Sequence, residues 1–486
     1  MHLLLILTLL GLDPRYHTYE RVVAEVESLS LIYPEITKVE TIGFTTWNNF
    51  PILAMKISDY PNVREDEPSL LFVGVHHAEE VLGCELSFFI IERLLQDYGK
   101  DSLITHCINT LNLWFVPILN PDGHGIVTSG IDTTWRKNLR DNNNNGLFDL
   151  DYDGVDLNRN YSFNWYTGGN DDPSSEYYKG SAPFSENETQ AVRDLSLREH
   201  FLMAIDFHSA RTGQGEVVYY PWRWGGDFCV DYPFVRSVAD SLASSIINDA
   251  GSGVYTSIYG VATEGNFRNW LYATLGTYAY TIEISKGCTP PGYMVDSICE
   301  RVFNGIIYFI NRVYGPGVVL QIVDSASLIP IAAEVRVLGH YDPSLPPRMS
   351  DSLSGTFRKI LLPGTYSFEI IKEGYEPLVI SDITIENAPE TLLVKITGVS
   401  ERSTDFGSRI KINYRVNSIE FELRENFSKG ARLDILDCSG RLVKTWSKEL
   451  NGVEKIVWNT ELQASGIYFA VLNDGDEIFL QKIPLF

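Results

Sequence analysis

The chain reads as an α/β protein: a mixed, mostly parallel sheet flanked by helices, followed by two small all-β sandwiches. Three observations predict this. Helix-like and strand-like segments alternate from about Tyr16 to Tyr314, the pattern of strands joined by helical crossovers. Two apolar runs, Leu70–Val75 and Phe201–Phe207, each end in histidine-bearing stretches. After Tyr314-Gly315-Pro316-Gly317 the helical pattern stops, and short runs of Val, Ile, Leu and Tyr recur between turn signals.

Taken in order, residues 1–13 hold the apolar block Leu3–Leu12. It is too short to cross a bilayer as a helix and reads as an imperfect export signal that lacks a positive leading region. Tyr19–Tyr33 has helical spacing, Ile52–Ile57 and Leu70–Val75 read as strands, and Val81–Tyr98 is an amphipathic helix. Leu111–Leu119 follows as a buried strand, then Glu188–Glu199 as a helix and Phe201–Phe207 and Glu216–Tyr220 as strands. Phe234–Asp249 (helix), Thr277–Ile284 (strand) and Val295–Val313 (helix) complete a region spanning 14–314. Turn signals at Asp342-Pro343, Ser354-Gly355, Pro363-Gly364 and Glu373-Gly374 divide 315–398 into strands. Those at Ser439-Gly440, Asn451-Gly452, Ser465-Gly466 and Asp474-Gly475 do the same for 399–486. No stretch is long and apolar enough for a transmembrane helix.

Composition narrows the function. The 486 residues are 44% hydrophobic and carry a net charge of −24. That charge argues against nucleic acid or anionic membrane as a partner, since basic patches supply that attraction. Six cysteines show no C-x-x-C spacing, which argues against a structural Cys₄ zinc site. Cys288 and Cys299 are close enough in sequence to close a short disulfide loop in an oxidising compartment.

The chemistry starts at Val75-His76-His77-Ala78-Glu79-Glu80, where an apolar strand gives way to a helix. His77 and Glu80 are spaced to offer an imidazole nitrogen and a carboxylate at the sheet's carboxyl edge, where α/β sheets bind ligands. Ala204-Ile205-Asp206-Phe207-His208 is a second strand ending in a histidine. Together His77, Glu80 and His208 make a His₂Glu set with an open fourth position, as in catalytic zinc sites. Thr281-Ile282-Glu283 places one acid in an apolar strand, and a buried carboxylate needs a partner or a task. Beside the metal, Glu283 is the candidate general base. Arg136 and Arg159 lie in turn-rich segments, and Arg suits bidentate capture of a carboxylate.

These motifs resemble those of zinc metallocarboxypeptidases of the carboxypeptidase A and T type, in the family's order over about 16–314. The resemblance implies that His77, Glu80 and His208 bind one Zn²⁺ and that Glu283 is the catalytic glutamate. It implies that Arg136 polarises the scissile carbonyl and that Asn158 and Arg159 clamp the substrate's terminal carboxylate. Tyr259 corresponds to the mobile capping tyrosine, with Tyr255 as runner-up; the interval from Tyr259 to Trp270 looks two residues longer than usual. Arg268 falls where the family carries the residue at the base of the pocket for the C-terminal side chain. An arginine there favours a Glu or Asp end.

Asp141, Asn143, Asn145 and Asp149 fall at positions one, three, five and nine of a calcium-type loop running to Asp153, with Gly146 at position six and Tyr152 at twelve. Residues 315–398 resemble the transthyretin-like sandwich of several metallocarboxypeptidases. Residues 399–486 resemble the sorting tails of secreted bacterial proteins, which implies cell-surface attachment. The expectation is a secreted or cell-surface exopeptidase acting on peptides or proteins with a free C-terminus. The rivals are a peptidoglycan stem-peptide hydrolase with the same site and a catalytically silent binding protein.

Overall fold

The computed structural model describes residues 12–210, 215–224, 227–261 and 264–398. From 409 to 485 it describes all but 416–417, 425–426, 429, 448–449, 451–453, 461–462, 464–465 and 476. Most of the Leu3–Leu12 block therefore lies outside the described residues.

One sheet organises the first part of the chain. Its strands are β1 (Thr37–Phe44), β2 (Pro51–Ile57), β3 (Ser69–Gly74), β4 (Asn112–Val116) and β5 (Met203–His208). β6 (Val217–Trp224), β7 (Asp227–Phe228), β8 (Thr256–Val261) and β9 (Tyr278–Glu283) follow. The order is β1-β2-β4-β3-β5-β9-β6-β7, with β8 paired to β6. The central β4, β3, β5 and β9 run parallel, while β1, β2 and β6 join antiparallel. β3, β4 and β5 are buried along their whole lengths, as parallel strands covered on both faces must be.

Side-chain alternation along the strands divides the core in two. Leu71, Val73, Ala204 and Ala279 pack with Trp270 and Leu195 on one face. Phe72 and Tyr280 turn to the other and meet Phe309 edge-on. Helices α1 (Tyr19–Ile32), α2 (Leu82–Asp97), α3 (Ser102–Ile108), α4 (Pro121–Thr128) and α5 (Asn187–Glu199) precede α6 (Tyr232–Ser244), the short α7 (Phe267–Trp270) and the long α8 (Gly292–Asn311). α4 starts where Asn120 caps Gly123 N–H and Pro121 fills the first turn.

Strands 317–324, 356–360 and 389–396 form one small sheet, and 334–337, 364–371 and 378–385 another. These belong to the same compact unit as the large sheet: Met1–Ile371 with Pro377–Lys395. Arg348 binds them together, its two terminal nitrogens donating to the Ala273 and Tyr272 carbonyls at 2.8 Å each. Lys359 pairs with Asp231 at 2.8 Å, and Tyr278 donates to the Ile360 carbonyl at 2.7 Å. The change of pattern at 315 coincides with the change from helices and mixed sheet to small antiparallel sheets.

Lys372–Glu376 and Ile396–Phe486 form the second unit. It has a three-stranded and a four-stranded antiparallel sheet among the described residues, around Phe421, Leu433, Ile435 and Trp458. The Cys288–Cys299 disulfide does not form. Both thiols are free, Cys299 buried on the inner face of α8 and Cys288 in the loop before it.

Candidate metal centre and active site

The carboxyl ends of β3 and β5 lie side by side, with Gly74 opposite Phe207 in register. Beyond β3 the chain must turn sharply. Val75 does this at φ 57°, a region costly for a β-branched residue and found where function over-determines the backbone. Gly74 has no room for a side chain, since a Cβ would stand 2.5 Å from the Pro117 carbonyl. His77 and Glu80 emerge from this turn, and His208 ends β5.

Three donors converge. His77 Nδ1 is 2.9 Å from Glu80 Oε1, His208 Nδ1 is 2.6 Å from Glu80 Oε2, and the two Nδ1 atoms are 3.0 Å apart. Each imidazole rests its far nitrogen on a buried carboxylate. His77 Nε2 meets Asp156 at 3.1 Å, and His208 Nε2 meets Asp206 at 2.5 Å. A ring that gives its Nε2–H to a carboxylate turns an unprotonated Nδ1 inward, as metal-ligating histidines do. Two such lone pairs and a carboxylate oxygen around one point are a set that fits Zn²⁺.

The sequence reading assigned no role to Asp156 or Asp206. The signal was present: Asp206 stands two residues before His208 and so shares its strand face. His76 Nδ1 also lies 2.6 Å from Asp206 Oδ1, and His76 Nε2 meets the Tyr161 hydroxyl at 2.8 Å. Burial works against ionisation of Asp206, but His208 and His76 hold its carboxyl well below the usual range.

Glu283 ends β9 opposite His208 in register, and its Oε2 accepts no hydrogen bond from a described residue. Burial, and then repulsion from Glu80, push its pKa up to about 7. Arg136 donates through Nε to Asp156 at 3.0 Å and lies 3.6 Å from Glu80. Its backbone is fixed to the metal turn, because Ala78 N–H donates to the Arg136 carbonyl. Asp156 thus orients a histidine with one oxygen and an arginine with the other.

Asn158 lies beneath, its Oδ1 accepting from Phe267 N–H at 2.9 Å and its Nδ2 donating to Asp206 at 3.2 Å. Arg159 donates to the Asn158 carbonyl and has no ion pair with a described residue. Arg136 and Arg159 both lie over the ring of Tyr177, at 5.3 and 5.9 Å.

Arg268 does not point to solvent. It is 5% exposed and its guanidinium is wedged between three strands. It donates to Thr281 Oγ1 at 2.8 Å on β9, lies 5.6 Å from the Tyr219 ring on β6, and touches Gly260 on β8. A Cβ at Gly260 would stand 2.0 Å from Arg268 Nη2, so this glycine makes the space. Thr281 precedes Glu283 by two residues and shares its face. Among the described residues no carboxylate pairs with Arg268, and its Nε has no partner.

Tyr259 sits in β8 opposite Tyr220, with Phe228 edge-on at 5.5 Å and Arg223 at 5.8 Å; none of these contacts reaches the three donors. Tyr255 is buried, its hydroxyl accepting from Ser285 N–H. The Asp141–Asp153 loop closes on itself. Asp141 accepts from Asn145 and Gly146 N–H, and Asp149 accepts from the Asn143 and Asn145 amides at 3.1 and 2.7 Å.

Residues 22–305, more than half the chain, match the model of the peptidase M14 family, zinc carboxypeptidase. The chain belongs to the zinc carboxypeptidase family. It is similar to carboxypeptidase B of Astacus astacus, 28% identical over 317 residues that span 61% of this chain and 97% of that one. To carboxypeptidase O of Bos taurus it is 25% identical over 312 residues, 62% of this chain and 79% of that one. The crystal structure of carboxypeptidase A from Helicoverpa armigera shares the fold, with a TM-score of 0.54 at 22% identity over 60% of this chain and 72% of that one. This zinc carboxypeptidase is a metallocarboxypeptidase, a hydrolase of peptides, and no helix among its described residues is long and apolar enough to cross a membrane.

Proposed function

We propose that this metallocarboxypeptidase removes single residues from peptide C-termini and prefers acidic ones. The observation that carries the preference is Arg268: a buried cation without a carboxylate partner among the described residues, on the strand face that presents Glu283. A buried, unpaired charge is costly, and an incoming Glu or Asp side chain would remove that cost.

In this reading His77, Glu80 and His208 hold the zinc, which supplies Lewis acidity at the scissile carbonyl. Glu283 takes a proton from the attacking water and returns it to the leaving amine, a task suited to a carboxyl near neutrality. Arg136, oriented by Asp156, faces the developing oxyanion. Asn158 already spends its amide on Asp206 and Phe267, so the terminal carboxylate falls to Arg159, while Asn158 holds α7 and thereby Arg268 in place. Tyr259 caps the substrate only by leaving Phe228.

Calcium at Asp141–Asp153 belongs to the same reading, supported by the oxygen-bearing side chains of Asp141, Asn143, Asn145 and Asp149 at alternate positions around Gly146. So does export with surface attachment, supported by the Leu3–Leu12 block and by the likeness of 399–486 to sorting tails. Cleavage of a peptide set ending in Glu, Asp, Phe and Lys, with zinc present, tests the preference. Faster release of Phe or Lys than of Glu and Asp overturns it.

A further inference from the structure

A second group of donors lies at the other end of the sheet. Asp59 follows β2, Glu65 and Glu67 precede β3, and Asn112 opens β4. These three strands are neighbours, so the group sits at the edge opposite His77, roughly 20 Å away for a six-residue strand. Carboxylate oxygens of Asp59, Glu65 and Glu67 all lie within 4.8 Å of one another. Asp59 Oδ1, Glu65 Oε2 and Glu67 Oε2 are each shielded from water and accept no hydrogen bond from a described residue.

Two further buried oxygens nearby also lack a partner among the described residues. Asn112 is 3% exposed and its Oδ1 has no partner. It lines, with Glu65 and Glu67, a cavity of about 340 Å³ that reaches residues 348–359 of the small sandwich. Ser58, next to Asp59, is fully buried and its Oγ has no partner. A buried carboxylate or amide oxygen left unpaired costs free energy, and three carboxylates and one amide here are in that state among the described residues.

The nearby cations do not answer the charge. Lys56 gives its Nζ to the Val63 carbonyl at 3.0 Å. Arg358 is committed to Asp66, and Arg64 to Asp351 at 2.6 Å. Lys56 and Arg358 attract Glu67, but neither forms an ion pair with Asp59, Glu65 or Glu67. Burial, followed by Glu65 and Asp59, drives the Glu67 carboxyl up to about 7.

We propose that Asp59, Glu65 and Glu67 bind a divalent calcium ion, with Asn112 Oδ1 as a neutral donor beside them. An all-oxygen set of three carboxyl groups suits a hard cation. Calcium, with six to eight ligands and flexible geometry, fits side chains from three separate segments better than magnesium does. Bound there, it ties the loop 58–67 to the start of β4, next to the sandwich.

The test uses the zinc-loaded full chain, freed of calcium by passage through calcium-depleted buffer, and titrated with CaCl₂ while melting and binding heat are followed. Saturable binding is expected, with Tm rising by roughly 5 °C at 100-fold excess over Kd. Glu67→Gln should bind at least about tenfold more weakly. It should also melt higher than the parent without calcium, because one repelling charge is gone. Asp149→Asn, in the Asp141–Asp153 loop, should keep the 58–67 response. If Glu67→Gln does not fold, Glu65→Gln carries the same comparison. No calcium-dependent shift in the parent, or parent affinity in the Glu67→Gln protein, overturns the site.

Discussion

Replacing Arg268 by methionine keeps a long, unbranched side chain in the space left by Gly260 and removes the charge. Arg268 has one neutral hydrogen bond, to Thr281, one aromatic face, Tyr219, and an unpartnered Nε. None of these is lost at great expense, so Arg268→Met should fold. An acidic terminal side chain, by contrast, would lose a desolvated charge partner, which costs about 2–4 kcal/mol. At 1.36 kcal/mol per decade, kcat/KM for a Glu-terminated peptide should drop roughly 30- to 900-fold. The Phe-terminated peptide should gain, since its ring would no longer desolvate a guanidinium. The assay is release of the terminal residue from matched peptides ending in Glu and Phe, for both proteins. An equal loss on both peptides would show that Arg268 only supports the fold, and the specificity argument would fail.

Four further outcomes follow from the geometry. Glu283→Gln should lower kcat by about 10²- to 10⁴-fold with KM little changed; a KM effect alone would remove Glu283 from the chemistry. Because the Glu283 carboxyl is pushed up to about 7 and works as a base when ionised, kcat/KM should rise with pH through that value. A bound dication favours the carboxylate, so the rise should fall somewhat below 7, and a flat profile down to pH 4 would contradict the assignment. Asp206→Asn and Asp156→Asn should each weaken zinc about 10- to 100-fold in competition with a chromogenic chelator, with Asp156→Asn also lowering kcat through Arg136. Glu188, buried beside Glu186, is raised to about 7 from an unfolded value near 4.5, so the native state holds the extra proton. Stability should therefore fall as pH rises between those values, and Glu188→Gln should flatten that part of the Tm profile.

The parts of the fold written most clearly in the sequence are those whose cause is local. The apolar runs at Leu70 and Phe201 become fully buried strands, and the periodic stretch after Val295 becomes α8, because burial on both faces or on one stripe leaves its own spacing. β1 and β8 were not foreseen. β1 alternates poorly and has a register shift between Thr41 and Gly43, and β8 is a half-exposed strand broken by Gly260. Their strand character comes from neighbours far off in the chain. Pro121–Thr128 was missed as well, since two glycines hide a helix that Asn120 and Pro121 start.

The site divides the same way. His77 and Glu80 stand three residues apart and could be read from spacing, and His208 and Glu283 mark strand ends. The carboxylates behind the ligands, and the acids at the far edge of the sheet, meet through tertiary structure alone. The burial of Arg268 could not be read from a counted interval, because Tyr219, Gly260 and Thr281 lie on three different strands.

Arg348 gives the small sandwich a hold on the backbone beside Arg268. Its fork grips the carbonyls of Tyr272 and Ala273, in the turn that directly continues the helix bearing Arg268. The appended strands therefore act as a buttress behind the segment that carries Arg268, and a protein cut back to the helical portion would lose that backing. Transplanting the helix of Arg268 into another scaffold means carrying the buttress along with it.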